Sequence, residues 1–363
     1  MKAWRKTRPA AGAELVDLPV PTPRPDEVLI RVRRVSVCGT DLHIYKWDRW
    51  AQNRLRTPIT FGHEFAGEIV EIGSTVRDRR VGELVAVETH VACGHCHPCR
   101  IGQAHVCENV EIVGLDRDGA YAEFITIPAS NAWSVPVGMP LEQAAALEPL
   151  GNAVHSVLAG EIAGAATGIT GCGPLGLFAI CVARACGAGP IVATDVNQYR
   201  LHLARACGAD VVVDVTQEDW VEAARAATGG RGLDVVCEMS GHSDAIRGGL
   251  QALRNGGRLS LLGLSSEEVT LDLSGMVIFK GLTVQGILGR RMFQTWDQMT
   301  SLLNSGRLDI TSAITHVMPI DELEDAMGIL AGGQAGKIVL LPWGESVGEP
   351  ARGREALSAE VRS

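Results

Sequence analysis

The sequence predicts an α/β protein of two domains, one β-rich and one built on a doubly wound parallel sheet. Three observations predict it. The chain has 363 residues, long for one hydrophobic core and comfortable for two. Residues 1 to about 150 carry β-type runs such as "EVLIRVRRVSVCG" and "AGEIVEIGSTV", punctuated by Pro and Gly. From about 155 to 290 the pattern becomes strand, glycine turn, helix, strand, and repeated βα units imply a parallel sheet with ligands at the carboxyl ends of its strands.

Within the second region "GIT", "PIVATD", "DVVVDV", "LDVVCEMSG" and "GRLSLLGL" are short apolar runs, as strands buried on both faces should be. The helices between them are "LGLFAICVARACGAG", "QYRLHLARACGAD" and "SDAIRGGLQALRNGG". Gly168 sits inside the first strand, where it weakens the local propensity. After about 290 the pattern turns mixed again, which predicts a return to the first domain. The last stretch, "GESVGEPARGREALSAEVRS", is polar and Gly-rich, the composition of a mobile tail. There is no internal repeat.

Bulk composition narrows the function. With 46% hydrophobic and 21% charged residues the chain is an ordinary folded one, not a disordered one. Its net charge of −9 argues against nucleic acid and against anionic membranes as partners. No apolar run reaches membrane-spanning length, and the first residues lack the apolar centre of a signal peptide, so a cytoplasmic location is expected. Ten cysteines in so long a chain do not make a disulfide scaffold, and clustered thiols in a reducing compartment more often hold metal.

Three motifs carry chemistry. "ITGCGPLG" places Gly171, Gly173 and Gly176 between a strand and an apolar helix, and Asp195 ends the next strand. Glycines there let the backbone approach a pyrophosphate on the positive helix end. A carboxylate at Asp195 would accept from ribose hydroxyls and repel a 2′-phosphate, so NAD is expected over NADP. "CGHCHPCRIGQAHVC" brings Cys93, Cys96, Cys99 and Cys107 into one short loop. Four thiolates suit tetrahedral zinc with no open position, a structural pin and not a reaction centre; an iron–sulfur cluster and a redox dithiol are the competing readings. His95, His97 and His105 are read as solvent-facing loop residues. Elsewhere Cys38 in "VCGTDLHIYKWDRW", His63 and Glu64 in "FGHEFAGEIV", and Glu148 in "LEPLGNAVH" are a mixed set of the type that holds catalytic zinc. Taken singly, each is equally a core thiol, a satisfied polar residue or a helix carboxylate.

Together these motifs, in this order, resemble zinc-dependent medium-chain alcohol dehydrogenases over residues 1 to about 343. The resemblance implies a GroES-like β-rich catalytic domain at 1–154 and 291–343, a Rossmann NAD-binding domain at 155–290, and a tail at 344–363. It implies an NAD-dependent enzyme with two zinc ions per chain, one catalytic and one structural, acting on a small secondary alcohol, in a homotetramer. Cys38, His63 and Glu64 then hold catalytic zinc. Glu148 stands beside it, as a ligand in some states or a relay carboxylate, and Thr40 and His43 form a proton relay. The NAD contacts fall to Leu175, Asp195, Arg200, Leu262, Gly263, Leu264, Ile287 and Leu288, together with the three glycines. His90 lies near the substrate. "CGTDLHIYKWDRWA", "EPLGNAVH", "DVNQYRLHLA" and "GILGRRMFQTW" are most similar to the branch that oxidises the 3-hydroxyl of L-threonine to 2-amino-3-oxobutanoate. Polyol and 2,3-butanediol oxidation are the alternatives. Departures are Cys172, where alanine is usual, and "GEL" at Gly82 to Leu84. Arg290 and Arg291 stay open between a carboxylate partner and the surface. Tyr45, Trp47 and Trp50 stay open between a cleft wall, a subunit contact and core packing, with core packing expected for Trp50.

Overall fold

The computed structural model describes residues 1–345. They form two compact units. The first comprises 1–93, 109–148 and 314–345; the second comprises 94–108 and 149–313. These limits differ from the sequence boundaries at 154 and 290. The helix Gln294–Asn304 and the short turn Thr311–Ala313 continue the second unit, because that turn packs on the helices Pro174–Ala185 and Gln198–Ala206. From residue 346 the expected tail lies outside the described residues. Its start is tied down: Glu345 accepts from Arg34 at 2.6 Å and from Arg33 at 3.2 Å.

The first unit is β-rich. Its larger sheet runs Ala132–Ser134, Leu84–Val87, Glu64–Ile72, Glu27–Val37, Lys337–Leu341, Ile314–Pro319, with Phe124–Pro128 also paired to Glu27–Val37. The long central strand is the predicted "EVLIRVRRVSV". Its Val28, Ile30, Val35 and Val37 are all at most 1% exposed, together with Phe65 and Ile69 of the neighbouring strand. Burying each such side chain is worth about 1.5–3 kcal/mol, so the centre of this sheet is its most rigid part. Register then builds the site. Ser36 lies opposite Glu64, and Val37 lies opposite Ile338. Residues 301 positions apart in sequence, Val37 and Ile338, are thereby neighbours at one end of one strand.

The second unit holds a six-stranded, all-parallel sheet in the order Val211–Asp214, Ile191–Asp195, Thr167–Thr170, Leu233–Glu238, Leu253–Leu261, Thr283–Gly286. Counted along the chain this is 3-2-1-4-5-6, the doubly wound order whose ligand crevice lies beside the first strand. Gly168, the weak point in the sequence, pairs on both sides with Val192 and Val236. A Cβ there would sit 2.7 Å from Leu233 Cδ1 and 3.2 Å from Val236 Cγ2. Packing from the next strand therefore fills the space that glycine leaves.

Candidate active site and metal centres

Cys38 follows the central strand and caps the helix Gly39–Lys46, while His63 immediately precedes the adjacent strand and Glu64 begins it. Ligand atoms of Cys38, His63 and Glu64 lie within 4.8 Å of one another. The turn before them needs glycine: Gly62 has φ +87°, and a Cβ would press 2.8 Å from the ring of Tyr121. His63 is 7% and Glu64 1% exposed, so unpaired charge here would be costly.

A buried network surrounds these groups. Asp41 Oδ2 accepts from the Cys38 N–H at 2.9 Å and from the Tyr121 hydroxyl at 2.9 Å, and Oδ1 lies 3.4 Å from His63 Nδ1. Burial alone would depress His63, but the Asp41 carboxylate and Cys38 hold it well above the ordinary imidazole value. Burial pushes the Tyr121 hydroxyl well up, and Asp41 adds to that. On the other side Glu64 Oε2 accepts from Lys337 Nζ at 2.7 Å and from the Ser36 hydroxyl. Lys337 is raised although burial opposes it, because Glu64 and Cys38 lie close. Glu148 is buried and accepts from Thr89 Oγ1 at 2.9 Å, but it stands outside the three-residue ligand set. The half-buried His90 donates its N–H to Glu88 Oε1 at 2.9 Å.

Thr40 and His43 share the helix Gly39–Lys46 three residues apart, hence one face. Thr40 is half-buried and His43 exposed. The Nδ1 of His43 is bonded to Asp48, which also caps the next helix by accepting from the Ala51 N–H at 3.1 Å. Trp50 is 37% exposed, its ring 5.8 Å from that of His43, which corrects the expectation that it packs in the core. Tyr45 and Trp47 are half-buried against the core of this unit. The sequence reading missed Ser36, Asp41, Asp48, Thr89, Tyr121 and Lys337. Asp41 and Asp48 stood inside a quoted motif; Ser36 and Lys337 come from strands that only register brings close, and Thr89 and Tyr121 from the segments between strands.

The four thiols of Cys93, Cys96, Cys99 and Cys107 also lie within 4.8 Å of one another. Cys96 Sγ and Cys107 Sγ are 3.8 Å apart, the edge of about 3.8 Å that a sulfur tetrahedron with metal–sulfur bonds of about 2.3 Å requires. Burial, and then the neighbouring thiols Cys96 and Cys107, push the Cys99 thiol up to about 12; a dication relieves that crowding. All ten cysteines are free of disulfides. His95 and His97 are exposed as expected, but His105 is half-buried, its ring edge-on to His155 at 5.6 Å, so it is no solvent-facing residue.

In the second unit Gly171 has φ +86°, and a Cβ on Gly176 would lie 1.9 Å from Gly171 O, so only glycine closes this turn. Space beside Gly173 is open to 4 Å. Cys172 is buried, with burial pushing its thiol up, and it is accommodated: its N–H donates to Asp195 Oδ2 at 2.7 Å. Asp195 Oδ1 accepts from Val196 and Asn197 N–H at 2.8 and 2.9 Å, which fixes the carboxylate with lone pairs to spare. Arg200 Nε is buried and has no partner among the described residues. Leu175, Leu262 and Gly263 are half-buried, Ile287 is buried, and Leu264 and Leu288 are exposed. Arg290 is buried near Asn152, at 3.4 Å, which removes the surface reading for it. The mixed sulfur, nitrogen and oxygen set fits catalytic zinc, the four sulfurs fit structural zinc, and the glycine turn with Asp195 fits NAD.

Comparison with known proteins agrees. Residues 24–137 match the family described as alcohol dehydrogenase GroES-like domain, and residues 174–305 match zinc-binding dehydrogenase. The chain is 48% identical over 342 residues to an L-threonine 3-dehydrogenase of Bacillus subtilis (strain 168), covering 94% of this chain and 99% of that one. It is 49% identical over 343 residues to an L-threonine 3-dehydrogenase of Thermococcus kodakarensis, covering 94% and 98%. Among solved structures, one described as a short chain alcohol dehydrogenase from E. coli CFT073 complexed with NADH has a TM-score of 0.86 at 26% identity, covering 94% and 99%. With both halves matched in order and both metal-ligand sets assembled, this chain belongs to the zinc-dependent medium-chain alcohol dehydrogenases.

Proposed function

We propose that the protein is an NAD-dependent L-threonine 3-dehydrogenase, forming 2-amino-3-oxobutanoate. The observation that carries it is the identity near one half, over almost their whole length, to relatives of that name from a bacterium and an archaeon. When bound, catalytic zinc supplies Lewis-acid activation of the alcohol and NAD accepts its hydride. Cys38, His63 and Glu64 hold the metal, and Asp41 orients the imidazole of His63. Thr40 takes the hydroxyl proton and His43, steadied by Asp48, passes it to solvent. Glu148, fixed by Thr89, sits beside the metal, and His90 helps to select the substrate. Gly171, Gly173, Leu175 and Gly176 receive the pyrophosphate, Asp195 the ribose and Arg200 the adenine. Leu262 to Leu264 and Ile287 with Leu288 border the nicotinamide half.

We further infer a homotetramer in the cytoplasm. Support for assembly is the edge strand Thr283–Gly286 and its approach, where Phe279 is 82% and Ile278 66% exposed. Support for the location is that none of the ten cysteines is in a disulfide. Rates of NAD reduction with L-threonine, sorbitol and 2,3-butanediol test the function, with L-threonine expected to lead by orders of magnitude. A faster diol or polyol would replace the threonine reading with one of those oxidations.

A further inference from the structure

Lys337 is the residue of the metal centre that motif reasoning had no place for. It opens the strand Lys337–Leu341, and its side chain is 2% exposed. Burying an ammonium group costs several kcal/mol unless charge and hydrogen bonds compensate, and an apolar residue would fill this strand position without that cost. Its acceptors are informative. Nζ donates to Glu64 Oε2 at 2.7 Å and to Val37 O, the carbonyl preceding Cys38, at 3.1 Å. The same Oε2 receives the Ser36 hydroxyl. Negative charge on Glu64, Cys38 and Glu148 all acts on the ammonium.

We propose that Lys337 is a positioning residue for the catalytic metal: with Ser36 it occupies one oxygen of Glu64, so the carboxylate offers the ion a single oxygen. This inference rests on the assignment of Cys38, His63 and Glu64 to catalytic zinc. A carboxylate tethered in this way cannot close around the ion with both oxygens, which keeps a coordination position for the alcohol. Lys337 thus trades retention of the ion for access to it.

The sign of that effect separates it from a scaffold role. A lysine that merely supports the fold would, once removed, let zinc escape faster. Lys337→Met should instead release the more labile zinc of the full chain to a chromogenic chelator at least ~5-fold more slowly, since Glu64 is then free to close on the ion with its second oxygen. Lys337→Arg keeps the charge and should stay within about twofold, and Lys337→Met in a Glu64→Gln background should change release by less than about twofold, because the tethered group is absent. Ser36→Ala removes the neutral tether and should slow release by a smaller factor, which keeps the test alive if Lys337→Met fails to fold. Equal or faster release from Lys337→Met or Ser36→Ala, or an undiminished effect beside Glu64→Gln, overturns the inference. Zinc content is measured in parallel: two ions per unaltered chain sustain the metal assignment, whereas one ion overturns that assignment and this inference with it.

Discussion

Replacing Asp41 by Asn tests the metal centre through a group that touches no substrate. The exchange keeps shape and removes charge. Two donors converge on the carboxylate, the Cys38 N–H and Tyr121 O–H, both at 2.9 Å from Oδ2, and His63 Nδ1 lies at ion-pair distance, 3.4 Å from Oδ1. An amide has one oxygen, which the two shorter bonds claim, so its NH2 turns toward the donating face of His63. When zinc holds the other ring nitrogen, Nδ1–H faces this carboxylate, and a hydrogen bond to a charged group is worth about 1.5–3 kcal/mol, or about 10- to 150-fold in an equilibrium constant. This agrees with the 10- to 100-fold loss of metal affinity typical when the partner of a ligating histidine is removed. Zinc competition titrations should therefore show Asp41→Asn binding the catalytic ion about 10- to 100-fold more weakly, with the four-thiol ion unaffected. The pH dependence follows from the direction of the His63 shift. In the absence of zinc, burial opposes the charged ring, but Asp41 and Cys38 raise its pKa well above the ordinary value. Stability from the charged ring is then complete below about pH 6.5 and is lost as pH rises through the raised value. Zinc needs the neutral ring and must displace that proton, so affinity climbs with pH from about 6.5 upward, more steeply for the unaltered chain than for Asp41→Asn. Zinc affinity within twofold of the original, with the same pH slope, would refute this account of the network.

Other substitutions give separate readouts. Cys38→Ser should abolish turnover while leaving the melting temperature nearly unchanged, whereas Cys96→Ser should lower thermal stability by releasing the ion that pins its loop; calorimetry beside a rate assay distinguishes them. Asp195→Ala should raise the KM for NAD and shrink its advantage over NADP, and an unchanged ratio of the two would contradict the ribose assignment. Gly168→Ala should destabilise the second unit by about 1–3 kcal/mol, seen in denaturant melts, since its methyl would collide with Leu233 and Val236.

Local patterns made much of this legible. The four thiols, the glycine turn and Asp195 each fall within a short span, so spacing alone reveals their geometry. The central strand likewise announced itself through its β-branched residues. What stayed hidden depends on register. Nothing near Lys337 in sequence points to Glu64; only the pairing of Ile338 with Val37 and of Ser36 with Glu64 brings them together. The contact units also divide the chain elsewhere than at 154 and 290, because the attachment of Gln294–Asn304, an ordinary helix, is decided by packing and not by its own pattern. His105 was misread for a related reason: it stands among exposed loop residues, and its neighbour His155 lies fifty positions away.

The placement of the strand Lys337–Leu341 beside Glu27–Val37 has a consequence for how the enzyme matures. While the chain is being synthesised, Cys38, His63 and Glu64 emerge early, but their lysine comes almost last. The contiguous stretch 149–313 can complete its parallel sheet in the interval, as units of a nascent chain do in turn. A ribosome-bound intermediate would thus carry the metal ligands without their brake and should capture zinc more tightly than the finished protein does. Acquisition of the ion and readiness for turnover are then successive events in biogenesis, separated by the arrival of a single strand.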